Sequence, residues 1–332
     1  MVSDTAYQAV RQRAAAIERY DRGLIVVSGR DRASYLQGLL TNDIVALKPG
    51  EGCYAAYLTP QGRMIVDLLV YELGDVILLA VPRAHTAAVL SKLDQFVFSE
   101  DVQLGDVTDT FFRAAIIGPD SAAVLSGIAD VDLQELASLP PHGNRRVQFA
   151  GHPAIVTQVS DAGEGGFDLY VEQSQAAALQ ASLATARVAF LDHETAEAIR
   201  VEAGVPKFDQ DMDQETIPLE AGLEERAISF SKGCYVGQEV IIRVLHRGHG
   251  KVARKLVGLT LGGLVVPALG SAVSAADGRE IGHVSSSTWS PGLGCPVALA
   301  YVHRDFLAEG TSVEVAGVAA VVTKLPFVQA RP

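Results

Sequence analysis

The sequence is poor in cysteine, in aromatic side chains and in positive charge. Its three cysteines, Cys53, Cys234 and Cys295, are widely spaced and form no Cys-x-x-Cys pair. Neither a disulfide framework nor a structural zinc site is encoded, no resident metal is expected, and a reducing, cytoplasmic setting fits best. Lys and Arg total 27 against 39 Asp and Glu, a formal net charge of -12, which argues against extended nucleic-acid binding through phosphate neutralisation. Long uncharged apolar runs are also missing. Asp67, Glu72 and Asp75 interrupt the most apolar stretch, Met64 to Val81, and each would cost about 2.5–3.5 kcal/mol at a bilayer centre. The N-terminus has no apolar core of the signal-peptide kind, so neither a membrane span nor secretion is expected.

What remains is a folded chain. With 332 residues, 48% of them apolar, it suggests two or three domains. Met1 to Tyr20 reads as an amphipathic helix. Gly23 to Val27 reads as a strand and Asp31 to Leu40 as a helix. Tyr54 to Thr59, Arg63 to Tyr71 and Val76 to Val81 form an antiparallel meander, punctuated by Pro60-Gln61-Gly62 and Leu73-Gly74-Asp75. A second helix–strand set follows from Arg83 to Val171, and Asp192 is placed to cap a helix running to Ala203. After Lys255 the chain offers only short Val-rich runs between Gly-containing turns, the pattern of a small β-barrel.

Four places could carry chemistry. In Ser231-Lys232-Gly233-Cys234-Tyr235-Val236-Gly237-Gln238-Glu239 a thiol lies two residues from an ammonium that would favour its ionisation if folding brings the two together; the alternative is a small apolar residue in a turn. Arg243, Arg247, Lys251, Arg254 and Lys255 form an acid-free run that either holds an anionic ligand tail or is a solvated connection. Asp67 interrupts an apolar strand and faces either solvent or a polar pocket. Glu202 lies at a helix end and reads from composition as an exposed acid or a salt-bridge partner.

Lys232 to Glu239 together with Tyr35 to Asp43, Gly62 to Tyr71, Gly163 to Phe167, Arg200 to Pro206, Thr216 to Glu220 and Lys324 to Val328 resemble the aminomethyltransferase (glycine-cleavage T-protein) superfamily. The segment Lys-Gly-Cys-Tyr-x-Gly-Gln-Glu is similar to that of its YgfZ branch of folate-binding proteins. The resemblance implies an α+β fold of the three-part cloverleaf type. Residues 1–250 would form two intertwined subdomains around a folate cavity, and residues 251–332 a C-terminal β-barrel. It implies tetrahydrofolate, or a one-carbon derivative, as cofactor, held by Glu202 at the pterin edge, by Asp67 and by Arg247 on the tail. Val66 stands where T-proteins carry a second acid. The branch further implies support of iron–sulfur cluster assembly or repair, with cluster carriers and cluster enzymes, tRNA-modifying ones included, as transient partners. Cys234 and Lys232 are then the candidate catalytic pair. Two other classes are a folate-dependent one-carbon transferase, in which Asp67 supplies the acid, and a non-catalytic folate-sensing module.

Overall fold

The computed structural model describes residues 2–160, 163–246 and 252–329. Helix α1 (Asp4–Gln12), capped by the Ser3 hydroxyl on the Ala6 N–H, stops at Arg13 and is followed by strand β1 (Ala15–Glu18). The single N-terminal helix expected from amphipathicity is therefore a helix and a strand. Ala15 and Ala16 are fully buried, paired on one side with the strand at 114–117 and on the other with Ala189 and Phe190. Tertiary pairing of these small residues outweighs their helix propensity.

The chain continues through β2 (Arg22–Ser28), α2 (Arg32–Gln37), β3 (Gly52–Leu58), β4 (Met64–Glu72), β5 (Ile77–Pro82), α3 (Thr86–Asp94) and β6 (Gln103–Asp106). These strands make a five-stranded antiparallel sheet in the order β3-β4-β5-β2-β6. Strand β4 is buried along nearly its whole length, which explains why it reads as a continuous apolar run instead of alternating.

Next come β7 (Phe111–Ile117), α4 (Ser121–Ile128), α5 (Leu133–Ala137), β8 (Asn144–Phe149), β9 (His152–Val159), β10 (Gly166–Glu172), α6 (Ala176–Thr185), β11 (Ala189–Phe190) and α7 (His193–Glu202). A six-stranded sheet runs β11-β1-β7-β10-β9-β8, so β1 is threaded into a sheet otherwise built from residues 111–190. The two subdomains are intertwined through this strand.

Helices α8 (Glu224–Ala227) and α9 (Gln238–His246) lead to the last part: β12 (Arg254–Leu261), β13 (Ala272–Ser274), β14 (Glu280–Ser290), β15 (Cys295–His303), β16 (Ser312–Val315) and β17 (Val318–Thr323). They close into a six-stranded barrel in the order β12-β15-β14-β13-β16-β17. Each of the three parts has its own apolar cluster. Among the described residues no helix is long and apolar enough to cross a membrane.

Candidate functional site

A cavity of about 270 Å³ opens where the two sheets meet α7. One wall is the connection from β1 to β2, with Glu18, Arg19, Asp21 and Arg22; another is Tyr54, Asp67 and Leu69 on β3 and β4. A third is one face of α7, carrying His193, Ala196, Glu197 and Arg200, a spacing of three and four residues that puts all four side chains on one stripe. The helix is held in place at both ends. Asp192 accepts the Thr195 N–H at 2.7 Å. Beyond the other end Gly204 adopts φ +69°, with Gly204 N–H on Val201 O and Val205 N–H on Arg200 O, a Schellman closure.

Asp67 is the acid set deepest into this cavity, 1% exposed. Arg22 donates to its Oδ2 at 2.7 Å and to its backbone carbonyl at 3.3 Å, and the Tyr54 hydroxyl donates to the same Oδ2 at 3.0 Å. Its Oδ1 is buried and accepts no hydrogen bond from any described residue. A buried acceptor left open costs about 1–3 kcal/mol, a cost that a bound hydrogen-bond donor would offset. Burial, reinforced by Asp67, holds the Tyr54 phenol well above its ordinary pKa, so that it stays a donor. The Arg226 guanidinium covers the Tyr54 ring at 5.4 Å. Neighbouring residues of a strand point to opposite faces, so Asp67 turns to the cavity while Val66 is buried in the apolar cluster.

Glu202, implied at the pterin edge, is placed elsewhere. It is fully buried and does not line the cavity. Its Oε2 accepts from the Tyr7 hydroxyl at 2.7 Å and from Arg11, and its Oε1 accepts from the Ser290 hydroxyl and from Gly292 N–H at 3.1 Å. Arg11 also pairs with Glu164. The reason is helical phase: five residues beyond Glu197, Glu202 is turned by about 140° away from the cavity face. The acid that α7 does present is Glu197, which the spacing of residues 193, 196, 197 and 200 could have revealed.

Lys232 does not line this cavity either. Its ammonium donates to three backbone carbonyls, Gln37, Leu40 and Asn42, at 2.7, 2.6 and 2.7 Å, so it caps the end of α2. It lies 5.1 Å from the centre of the Tyr235 ring. The thiol that feels its charge is Cys53, which burial nevertheless pushes up to about 12. Cys234 is exposed and lies outside the cavity. The rest of its segment is anchored: Tyr235 is buried, Val236 N–H donates to Gly38 O at 3.1 Å, and Gly237, at φ +85°, would put a Cβ 2.6 Å from Thr59 O. Only glycine tolerates both that φ and that approach.

Of the cationic run, Arg247 and Lys251 lie outside the described residues. Arg254 pairs with Glu220 and Lys255 with Glu224, which makes these two part of the connection to the barrel.

Residues 2–232 match the family model of the GCVT N-terminal domain and residues 254–329 that of the glycine cleavage T-protein C-terminal barrel domain. The chain is 32% identical to an aminomethyltransferase of Nostoc sp. (strain PCC 7120), over 97% of its own length and 86% of the relative's. It is 35% identical to an aminomethyltransferase of Geobacillus kaustophilus, over 93% and 84%. The solved structure of glycine cleavage system aminomethyltransferase T from Bartonella henselae matches it with a TM-score of 0.86 at 25% identity, covering 98% of this chain and 90% of that one.

Proposed function

Because this chain belongs to the glycine cleavage T-protein family, we propose that its central cavity binds a reduced folate. The observation that carries the reading is the unpartnered, buried Oδ1 of Asp67, a residue that lines a cavity of about 270 Å³. The surroundings suit a flat, N–H-rich heterocycle with an anionic tail. Asp67 and Glu197 accept N–H groups, Leu69, Ile117 and Ala196 supply apolar faces, and Lys207 and Arg226 supply cations. Arg22 and Tyr54 fix the Asp67 carboxylate in one orientation, so its free oxygen is preorganised.

The relatives' name, aminomethyltransferase, favours one-carbon transfer to the folate as the chemistry. Tetrahydrofolate supplies the accepting amine in that reading. Asp67 orients this amine and takes up its N–H proton or stabilises the positive charge that develops there. We expect Asp67→Asn to weaken tetrahydrofolate binding by about 1–3 kcal/mol and to remove turnover with an aminomethyl donor. Calorimetric titration beside a thermal melt checks the first, and folate product analysis checks the second. Unchanged affinity in a folded variant would remove Asp67 from the site.

A second reading, support of iron–sulfur cluster assembly or repair in the manner of the YgfZ branch, is favoured by Cys234. An exposed thiol on an anchored loop outside the cavity is suited to meeting another protein, not to chemistry on the folate. Truncating it removes no buried contact. Cys234→Ala should therefore keep melting temperature and folate affinity while losing support of a cluster-dependent tRNA-modifying enzyme in complemented cells. Full complementation would leave one-carbon transfer as the standing reading.

A further inference from the structure

A second cavity, also of about 270 Å³, adjoins the first and shares Arg19, Tyr20 and Arg22 with it. The connection between β1 and β2 is the wall between them. Its backbone is tied to both sheets, through Arg19 N–H on Arg113 O at 3.0 Å and Arg83 N–H on Asp21 O at 2.9 Å. The wall is polarised. Asp21 and Asp67 line the central side only, Arg19 and Arg22 line both sides, and the outer side adds Arg83 and Arg113, with Asp109 as its one carboxylate among the described residues.

The acids that balance these cations stand behind or beside them. Asp21 pairs with Arg19 at 3.1 Å and Arg113 at 3.2 Å, Asp67 with Arg22 at 2.7 Å, Asp168 with Arg113 at 3.5 Å, and Asp109 with Arg83 at 2.7 Å. The cluster is neutral as a whole, and all four arginines line the outer cavity. Three of them are nearly withdrawn from solvent, at 9, 12 and 4% side-chain exposure for Arg19, Arg22 and Arg113, while Arg83 at the rim is 46% exposed. Between them lie Leu24, Phe111 and Phe112.

We propose that this outer cavity is a binding site for a small organic carboxylate with an apolar body, separate from the folate cavity. Guanidinium forks match a carboxylate in geometry and charge, and the desolvated setting strengthens the pairing. The Phe and Leu walls favour an organic anion over a hydrated inorganic one. The site goes beyond folate binding and does not depend on it.

The test uses the full chain and ligand-observed NMR with three probes: benzoate, its neutral isostere benzamide, and inorganic phosphate. Benzoate should bind at least tenfold more tightly than benzamide, and more tightly than phosphate. Saturating tetrahydrofolate should not displace it. Arg83→Gln, at the exposed rim, should weaken benzoate about threefold to fivefold, as a partly solvated ion pair would, and Arg83→Lys should lose less. Equal binding of benzamide, tighter binding of phosphate, or displacement of benzoate by tetrahydrofolate would each overturn the assignment. A chain that fails to bind tetrahydrofolate at all still reports on benzoate, so the two readings fail separately.

Discussion

Glu202→Ala should lower the stability of the protein by about 3–5 kcal/mol, the range for breaking a buried ion pair by removing one partner, while leaving tetrahydrofolate affinity in the folded fraction unchanged. The substitution strands Arg11, which is 6% exposed and would retain Glu164 alone. It also leaves the Tyr7 and Ser290 hydroxyls and the Gly292 N–H without their acceptor. Chemical denaturation checks the first part and calorimetry the second. Glu202→Gln keeps an acceptor for Ser290 and Gly292 but turns N–H groups toward Arg11, so it should recover part of the loss. A variant of native stability with weakened folate binding would return Glu202 to the ligand site.

Lys232→Met should cost a similar amount, about 3–5 kcal/mol. Three hydrogen bonds from a charged donor, each worth roughly 1.5–3 kcal/mol, are lost, offset in part by relief from desolvating the ammonium. The pH dependence carries a second signature. Burial pushes the Lys232 ammonium down from 10.5 to about 8. Between those values the unfolded chain holds a proton that the folded chain has released, so this group makes stability rise with pH there. Native protein minus Lys232→Met should therefore give a stability difference that grows from pH 8 to 10.5. A flat difference would mean that the carbonyl cradle keeps the lysine charged.

Much of the fold was legible because local signals carry it. The β3–β5 meander follows from apolar runs broken by Pro60-Gln61-Gly62, and the start of α7 from the Asp192 cap. Strand β1 was not legible, because what makes Ala15 and Ala16 a strand is supplied by residues about 100 and 174 positions later. Of the cavity lining, Asp67 stood out in the sequence, where a charge broke an apolar strand. Lys232 and Cys234 show the limit of adjacency. Two residues apart in sequence, one side chain turns inward to a helix end and the other outward to solvent. Glu202 was singled out by motif, whereas the phase of α7 gives this cavity Glu197 instead.

The threading of β1 also orders the molecule in time. The five-stranded sheet draws on residues 22–106 and the barrel on residues 254–323, so each is complete once its own stretch has been made. The six-stranded sheet is not. Ala15 pairs with Ala189, which follows it by 174 residues, and α1 reaches Ser290 and Gly292 through Tyr7, Arg11 and Glu202. At about 5–20 residues per second on the ribosome, β1 waits roughly 9–35 s for its parallel neighbour. Throughout that interval Tyr7, Val10 and the alanines of β1, all buried in the finished protein, have no complete interior to enter. The residues of α1 and β1 are thus sequestered only after residues 189 and 190 have been made, and their link to the barrel waits for Ser290 and Gly292.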